Sequence, residues 1–283
     1  MNPFSEPPST PASVVLPDDP RKRHLGRYIV IAIVAVAAIG AAVFVAVRGD
    51  DKPAYSLTSA GDATVDVKTI AFTVTTEGFG SEITADGEID VQKDLAHFTL
   101  DLGTDIVGFG GELEMIIDNK GKATFINQSF FDALGIPLDA EWLRMDEAWL
   151  AENGQDSVFN GAAIGSPLDA VAIISKAIKT EEIGYDEVNG LKVRHYRATF
   201  RGADVLVSNP ALESQLDRLD GRIPDEIVYD FYVDDQNVVR RVTYQIDIGP
   251  GEITTDIVVT SINEPLSIEV PADVDVVDAR DFL

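Results

Sequence analysis

The sequence predicts an α+β protein in which one N-terminal transmembrane helix precedes a large curved antiparallel sheet with helices on its concave face. Three observations support this prediction. One long uncharged apolar run lies near the N-terminus. The chain after it consists mostly of short segments rich in β-branched residues, and strands that follow one another hairpin after hairpin favour an antiparallel sheet. Two segments with helical periodicity interrupt these strands.

Composition sets the first limits on function. The 283-residue chain is 45% hydrophobic, as expected of a globular protein, and it contains no cysteine. The lack of cysteine excludes a disulfide scaffold, a thiolate zinc site and a cysteine nucleophile. Asp and Glu number 48 against 22 Lys and Arg, so the formal net charge is −26. Because nucleic-acid binding needs a basic face, we expect no nucleic-acid partner.

Residues 28–47, with the sequence YIVIAIVAVAAIGAAVFVAV, form the predicted transmembrane helix. A helix rises about 1.5 Å per residue, so a run of this length spans a bilayer core of about 30 Å. The basic cluster of residues 21–27 precedes it, and the positive-inside rule places residues 1–27 in the cytoplasm and the rest outside. The alternative is a cleaved signal peptide, whose apolar core is usually about 7–15 residues. We expect a single-pass protein of the cell membrane.

The predicted helix divides the chain into four parts. Residues 1–27 form a tail that is rich in proline, carries the basic cluster and is expected to be disordered. Residues 48–63 are a linker that follows the membrane helix. Residues 64–283 form one extracytoplasmic domain, which holds the acidic excess of the chain. Such a surface is repelled by anionic lipid headgroups, so the domain should stand away from the membrane.

The first half of the domain reads as a series of strands. β-Branched and aromatic residues alternate with polar ones, and the intervening segments carry Asp, Asn and Gly, which favour turns. The clearest turn is Asp118-Asn119-Lys120-Gly121. The predicted strands are residues 69–77, 82–91, 95–102, 113–117, 123–127 and 142–146.

The second half begins with a predicted helix at residues 167–178, with Ser166 as its N-cap. The helix is apolar on nearly all sides and therefore lies between two layers. One of these layers could be a ligand, or the helix could be an ordinary core helix beneath a loop. Residues 211–220 form a second, shorter helical segment. The remaining predicted strands are residues 181–187, 192–200, 226–233, 238–248, 252–262 and a short edge strand, 266–270, between two prolines.

Motifs that would indicate catalysis are missing from the sequence. It contains no phosphate-binding glycine loop, HExxH pair or GxSxG nucleophile elbow. His24, His97 and His195 lie far apart, and the acidic C-terminal residues lack the spacing of a calcium loop. We therefore expect no enzymatic activity, no metal site and no cofactor.

One basic strand segment, residues 194–197, stands out in this acidic domain. Strand geometry places Arg194 and Tyr196 on one face and His195 and Arg197 on the other. The two arginines could pair with acidic neighbours on adjacent strands or capture an anionic headgroup.

Three segments resemble the mycobacterial LppX/LprG-type lipoproteins, a group of exported actinobacterial proteins related in fold to the lipoprotein carrier LolA. These segments are residues 167–200, the hairpin IPDEIVYDFYVDDQNVVRRVTYQI and the closing run INEPLSIEVPADVDVV. The resemblance implies a half-barrel with an apolar cavity between the sheet and its helices, used to bind acylated lipids or lipoproteins at the cell envelope. Family members carry a lipid-modified cysteine, which is missing here. A transmembrane helix would replace that anchor.

These observations predict a membrane-anchored extracytoplasmic binding module for a lipid or another acylated or apolar ligand, with lipid or lipoprotein transport at the cell envelope as its expected role. The expected partners are the membrane, such a ligand and an envelope protein. The alternative is an envelope interaction or sensory domain with a filled core and no small ligand. Adjacent aromatic residues in a loop need a burial partner, so Phe130 and Phe131 are expected at the cavity mouth. The predicted cavity lining includes Val171, Ile174, Ile178, Leu212 and Leu216.

Overall fold

The computed structural model describes residues 57, 60, 67–78, 81–101, 112–152, 174–208, 223–247 and 251–282. The predicted cytoplasmic tail, the transmembrane helix at 28–47 and the helix at 211–220 lie outside these residues. The predicted helix at 167–178 is described only from Ile174 onward. Within the described ranges, no helix has both the length and the apolar character needed to cross a membrane.

The described residues form one large curved sheet that does not close into a barrel. Its strand order is β12-β6-β5-β4-β3-β2-β1-β11-β10-β9-β8-β7. Neighbouring strands are antiparallel, except that β12 runs parallel to β6. The strands are β1 (Thr69–Gly78), β2 (Ser81–Asp90), β3 (Leu95–Asp101), β4 (Glu112–Asp118), β5 (Ala123–Asn127), β6 (Trp142–Asp146), β7 (Lys179–Val188), β8 (Leu191–Arg201), β9 (Glu226–Val233), β10 (Val239–Asp247), β11 (Glu252–Ile262) and β12 (Val276–Asp278).

Alternation along each strand divides the sheet into two faces. We call the face that carries the main hydrophobic core the inner face and the opposite one the outer face. On β3, Ala96, Phe98 and Leu100 are buried on the inner face, whereas His97 and Thr99 are partly exposed on the outer face. The turn at Asn189-Gly190 holds both residues at positive φ, 50° and 77°, which is the geometry that a two-residue Asn-Gly hairpin requires.

The inner face contains one close approach that only glycine permits. The aromatic ring of Phe72 on β1 lies over Gly87 on β2, its partner across the strands. A Cβ atom at position 87 would lie 2.4 Å from the ring, which is far inside van der Waals contact. Gly87 therefore fixes the position of a large core side chain.

Four short helices that the structure describes from end to end pack against the sheet, mainly at its two ends. They are α1 (Gln128–Ala133), α2 (Glu147–Glu152), α3 (Gly202–Ser208) and α4 (Ala279–Phe282). Helices α1, α2 and α4 contact β4, β5, β6 and β12, and α3 contacts β8. None of the four coincides with a predicted helix, because each is too short to display a clear helical period.

The predicted edge strand at 266–270 is wrong. This segment is not paired in the sheet, and β12 forms the edge instead. Pro265 and Pro271 lack backbone N–H groups, which disfavours ladder pairing. The segment of residues 263–275, which we call the strap, crosses the outer face, and Ile268 packs there with Phe125 and Trp142.

After the strap, the chain turns around the edge of the sheet through β12 and returns to the inner face. Ala279 of α4 belongs to the main core. The ring of Phe282 packs edge-on against Phe131, with 6.0 Å between ring centroids. The C-terminal residues therefore link the two faces of the sheet.

Candidate ligand-binding face

The structure describes four of the seven predicted cavity residues. Phe130, Phe131 and Ile174 are buried in the one main core. Ile178 lies outside it, with 48% of its surface exposed. The helical residues end at Ser175, and Ile178 leads into β7 with its N–H donating to the carbonyl of Thr199. Val171, Leu212 and Leu216 lie outside the described residues.

Phe130 and Phe131 lie on α1 rather than in a loop. The side-chain oxygen of Asn127 accepts a hydrogen bond from the Ser129 N–H at 3.0 Å and so caps the helix N-terminus. The two phenylalanine rings meet edge to face, with centroids 5.5 Å apart. Leu138 and Leu150 are buried in the same core. This end of the inner face is filled by side chains of the protein itself.

The other end of the inner face carries a group of aromatic side chains. The rings of Phe200 and Tyr229 lie 5.2 Å apart, and those of Tyr229 and Tyr244 lie 4.6 Å apart. Phe231 stacks beside Tyr229 at 6.0 Å. Strand alternation and hairpin register bring them together, because Tyr229 on β9 is directly opposite Tyr244 on β10.

Four hydroxyl-bearing residues form a continuous row across the aromatic end of this otherwise apolar face. Tyr229, Tyr244, Thr255 and Thr76 are successive cross-strand partners on β9, β10, β11 and β1. We call them the hydroxyl row. Thr255 lies close enough to the Tyr244 hydroxyl to lower its pKa. The hydroxyl oxygens of Thr255 and Thr76 lie 3.4 Å apart. The row therefore offers a line of neutral donors and acceptors on an apolar surface.

Burial keeps the two tyrosines of the row in their neutral form. Burial raises the pKa of Tyr229 well above its usual value, and the nearby Tyr244 adds to this rise. Burial also raises the pKa of Tyr244, although the nearby Thr255 acts in the opposite direction. At neutral pH both side chains are uncharged phenols that can donate a hydrogen bond.

Tyr196 on β8 adds one unsatisfied hydroxyl to this region. It is opposite Phe231 and is only 4% exposed. Among the described residues, its buried hydroxyl has no hydrogen-bond partner of ordinary geometry. Burial raises the pKa of Tyr196. The neighbouring Arg194 lowers it in part, although it makes no hydrogen bond of ordinary geometry with the Tyr196 hydroxyl. A buried unsatisfied hydroxyl costs about 1–3 kcal/mol, so a ligand group that binds it would recover that free energy.

Polar side chains on the outer face are paired instead. Arg197 donates two hydrogen bonds to Asp230 at 2.9 and 3.0 Å, and His195 Nε2 lies 2.8 Å from the same carboxylate. The imidazole of His195 also stacks on Tyr232. Arg194, on the inner side of β8, pairs with Glu182 at 3.2 Å. The arginines of the basic segment therefore bind acidic neighbours on adjacent strands.

The described residues hold no group of three His, Cys, Asp or Glu side chains arranged to bind a metal ion. His97 lies between Glu114 and Glu88, but its two ring nitrogens face different carboxylates, at 3.0 and 3.8 Å. One metal ion could not bind both carboxylates and the imidazole in this arrangement.

No protein-family model matches the sequence. A comparison with curated proteins also finds no match. Solved structures do show similarity. LppX of Mycobacterium tuberculosis is 12% identical over 84% of this chain and 99% of its own, with a TM-score of 0.46. LprF of Mycobacterium bovis is 13% identical over 86% and 98%, with a TM-score of 0.48. An uncharacterized protein of Thermus thermophilus is 9% identical over 74% and 90%, with a TM-score of 0.34. The solved structures to which the chain is similar therefore include LppX, a mycobacterial lipoprotein of the group that the sequence resembles.

Proposed function

We propose that the protein is a non-enzymatic, membrane-anchored extracytoplasmic module that binds a lipid or another acylated or apolar ligand on the inner face of its sheet, in lipid or lipoprotein transport at the cell envelope. The observation that carries this proposal is the hydroxyl row across the aromatic end of that face. If this apolar face were covered only by side chains of the protein itself, four aligned hydroxyl groups would add nothing to its stability. A ligand with an apolar body and one polar group matches this pattern.

The row also indicates the chemistry of that polar group. Tyr229 and Tyr244 are neutral, and none of the four positions of the row is a cation. A carboxylate or phosphate buried there would lack a charge partner and would be strongly penalised. An ester carbonyl or a hydroxyl needs only the hydrogen bonds that the row provides. Contact with the apolar body would contribute about 25 cal/mol per Å² of buried surface, before the costs of ordering.

The location at the membrane is part of the proposal. The apolar run at 28–47 would hold the domain on the outer side of the cell membrane, with the basic cluster in the cytoplasm. Membrane fractionation of the full chain tests this, combined with protease treatment of intact cells. Recovery of the chain in the soluble fraction, or protection of its C-terminal domain from added protease, would contradict it.

Native mass spectrometry of the full chain, purified in detergent from its own envelope, tests the binding function. Solvent extraction of the sample identifies any bound molecule. We expect a stoichiometric neutral lipid whose occupancy falls in the double variant Tyr244→Phe/Thr255→Val. The variant Thr99→Val removes a hydroxyl from the outer face and serves as the matched control, with unchanged occupancy. A clean ligand-free mass for the wild-type chain would argue against a lipid-binding module.

A second function, an envelope interaction or sensory domain without a small ligand, is favoured by one observation. The end of the inner face under α1, α2 and α4 is filled by Phe130, Phe131, Leu150 and Phe282. If the same were true along the whole face, no ligand would bind. A ligand-free mass together with specific binding to an envelope protein would support this second function.

A further inference from the structure

The two edges of the sheet differ. At one edge, β12 pairs with β6 through three residue pairs, and Arg280 contacts Asp146 at 2.6 Å beside it. The opposite edge is β7. In the described part of the chain, no strand pairs with the edge of β7 that points away from β8. An exposed edge strand presents unpaired N–H and C=O groups that can pair with another chain.

β7 and its flanks carry much of the exposed apolar surface. Of the eight large hydrophobic side chains that are exposed in the described ranges, four lie here: Ile178, Ile183, Tyr185 and Leu191. Ile183 is 49% and Tyr185 is 60% exposed. Apolar side chains on a long open edge invite pairing, and natural proteins usually avoid them there. Their presence on this edge indicates that the edge pairs with another chain.

Tyr185 is held in place on this edge. The ammonium group of Lys192 lies 4.2 Å from the centroid of its ring, and the guanidinium of Arg194 lies 5.3 Å from it. Both cations come from β8, the neighbouring strand. The ring is therefore supported from one side, and it can pack against a partner without first losing much side-chain freedom.

The charge of the edge identifies the chemistry of a partner. β7 contains Glu181, Glu182, Asp186 and Glu187 but only one cation, Lys179. Lys179 pairs with Glu181 at 2.7 Å, and Arg194 pairs with Glu182. Asp186 and Glu187 make no short-range ion pair with a described residue, although Glu187 is directly opposite Lys192 on β8 and Asp186 acts on Arg241 at longer range. Their charges remain available to basic side chains on an added strand, where opposite charges across two strands are stabilising.

We propose that β7 is a docking edge for an extended segment of a partner protein, which pairs with β7 as an added strand and carries two consecutive lysine or arginine residues next to an apolar residue. The apolar residue would pack on Tyr185 and Ile183. The first basic residue would face Asp186 on the opposite side of the sheet, and the second, on the side of Tyr185, would face Glu187. Main-chain hydrogen bonds would supply affinity, and the side chains would supply specificity. A second copy of this chain fits less well, because it would place two acidic strands side by side.

The test uses the full chain in detergent and a synthetic ten-residue peptide in which pairs of consecutive lysines alternate with threonine and valine, so that lysines lie on both faces of the added strand. Binding is measured by fluorescence anisotropy. A second peptide has the same sequence, with alternate backbone nitrogens methylated along one edge so that they cannot donate. We expect saturable binding of the first peptide and a loss of at least about tenfold in affinity for the methylated one, because several main-chain hydrogen bonds are lost.

Charge-reversal variants locate the binding edge. Asp186→Lys/Glu187→Lys should weaken binding of the first peptide by about tenfold. Glu269→Lys/Asp273→Lys on the strap changes the net charge equally and should have little effect. All four positions are exposed, so both variants should keep the circular dichroism of the wild type. Three results would overturn the proposal: no binding of the first peptide, equal binding of the methylated peptide, or equal effects of the two charge reversals.

Discussion

Replacing Ile268 with alanine tests whether the strap holds the outer face together. Ile268 is 3% exposed and packs with Leu95, Ile116, Phe125 and Trp142. The substitution removes three carbon atoms, which corresponds to about 2.4 kcal/mol at roughly 0.8 kcal/mol per buried carbon group. A residual cavity adds to this cost, whereas relaxation of the strap, which is not paired in the sheet, reduces it. We expect a loss of about 2–3 kcal/mol, at the low end of the range for such substitutions.

Urea unfolding of the full chain in detergent, followed by tryptophan fluorescence, measures this loss. The chain has only two tryptophans, and Trp142 lies in the same cluster as Ile268. The midpoint of thermal unfolding should fall by about 5–10 °C for a domain of this size. Val274 lies on the same strap and is 87% exposed, so Val274→Ala should change stability by less than about 0.5 kcal/mol. Equal effects of the two substitutions would refute the packing of the strap on the outer face.

Three further predictions concern single residues. Burial tends to raise the pKa of Asp230, but its hydrogen bonds with Arg197 and His195 outweigh this, so its pKa lies below the usual 3.8. The stability that Asp230 contributes is present above pH 3.8 and is lost as the pH falls through the lower folded value, and an acid titration of Asp230→Asn should lack that component. Gly87→Ala should destabilise the domain by about 1–3 kcal/mol in urea unfolding because of its contact with Phe72, and Phe72→Leu in the same chain should recover part of the loss. Tyr196→Phe removes an unsatisfied hydroxyl, so the ligand-free variant should be as stable as the wild type or more stable. The same variant should show lower lipid occupancy in native mass spectrometry. A clear loss of stability without ligand would show that the hydroxyl has a protein partner.

Most of the sheet was predictable from local sequence. The bounds of β5, β6, β9 and β11 match the predicted ranges, because these strands combine β-branched or aromatic residues with turn residues at both ends. The helices were harder to predict. A helix as short as α1 shows less than two turns of periodicity, and its position depends on the Asn127 cap and on burial of two phenylalanines against the sheet.

The strap shows how tertiary contacts override a local pattern. Leu266, Ile268 and Val270 alternate with polar residues as in a strand. The flanking prolines remove two N–H donors, and an apolar patch on the outer face accepts Ile268. The strand that closes the edge follows the second proline, in a run that the sequence pattern assigns to an acidic tail.

The hydroxyl row depends on cross-strand register and was therefore invisible in the sequence. Tyr229 and Tyr244 are related by a hairpin, but Thr255 and Thr76 are 179 positions apart. A threonine in a strand normally indicates only β propensity. Its meaning as part of a polar row depends on the pairing of β1 with β11, which joins the two ends of the domain.

The contrast between the two faces favours the inner face as the place where a ligand binds. On the outer face, the same strands satisfy their polar groups: Arg197 bonds Asp230, and Arg241 bonds Asp256 through two hydrogen bonds. On the inner face, the buried hydroxyls of Tyr196 and Thr124 have no hydrogen-bond partner of ordinary geometry within the part of the chain that the structure describes. Thr124 lies at the filled end, where a ligand has little room. Tyr196 lies beside the aromatic group, and its cross-strand partner Phe231 is two residues from Tyr229 of the hydroxyl row. An unsatisfied donor on a face that already offers neutral hydrogen-bonding groups is what a site for an uncharged polar group on an apolar ligand requires.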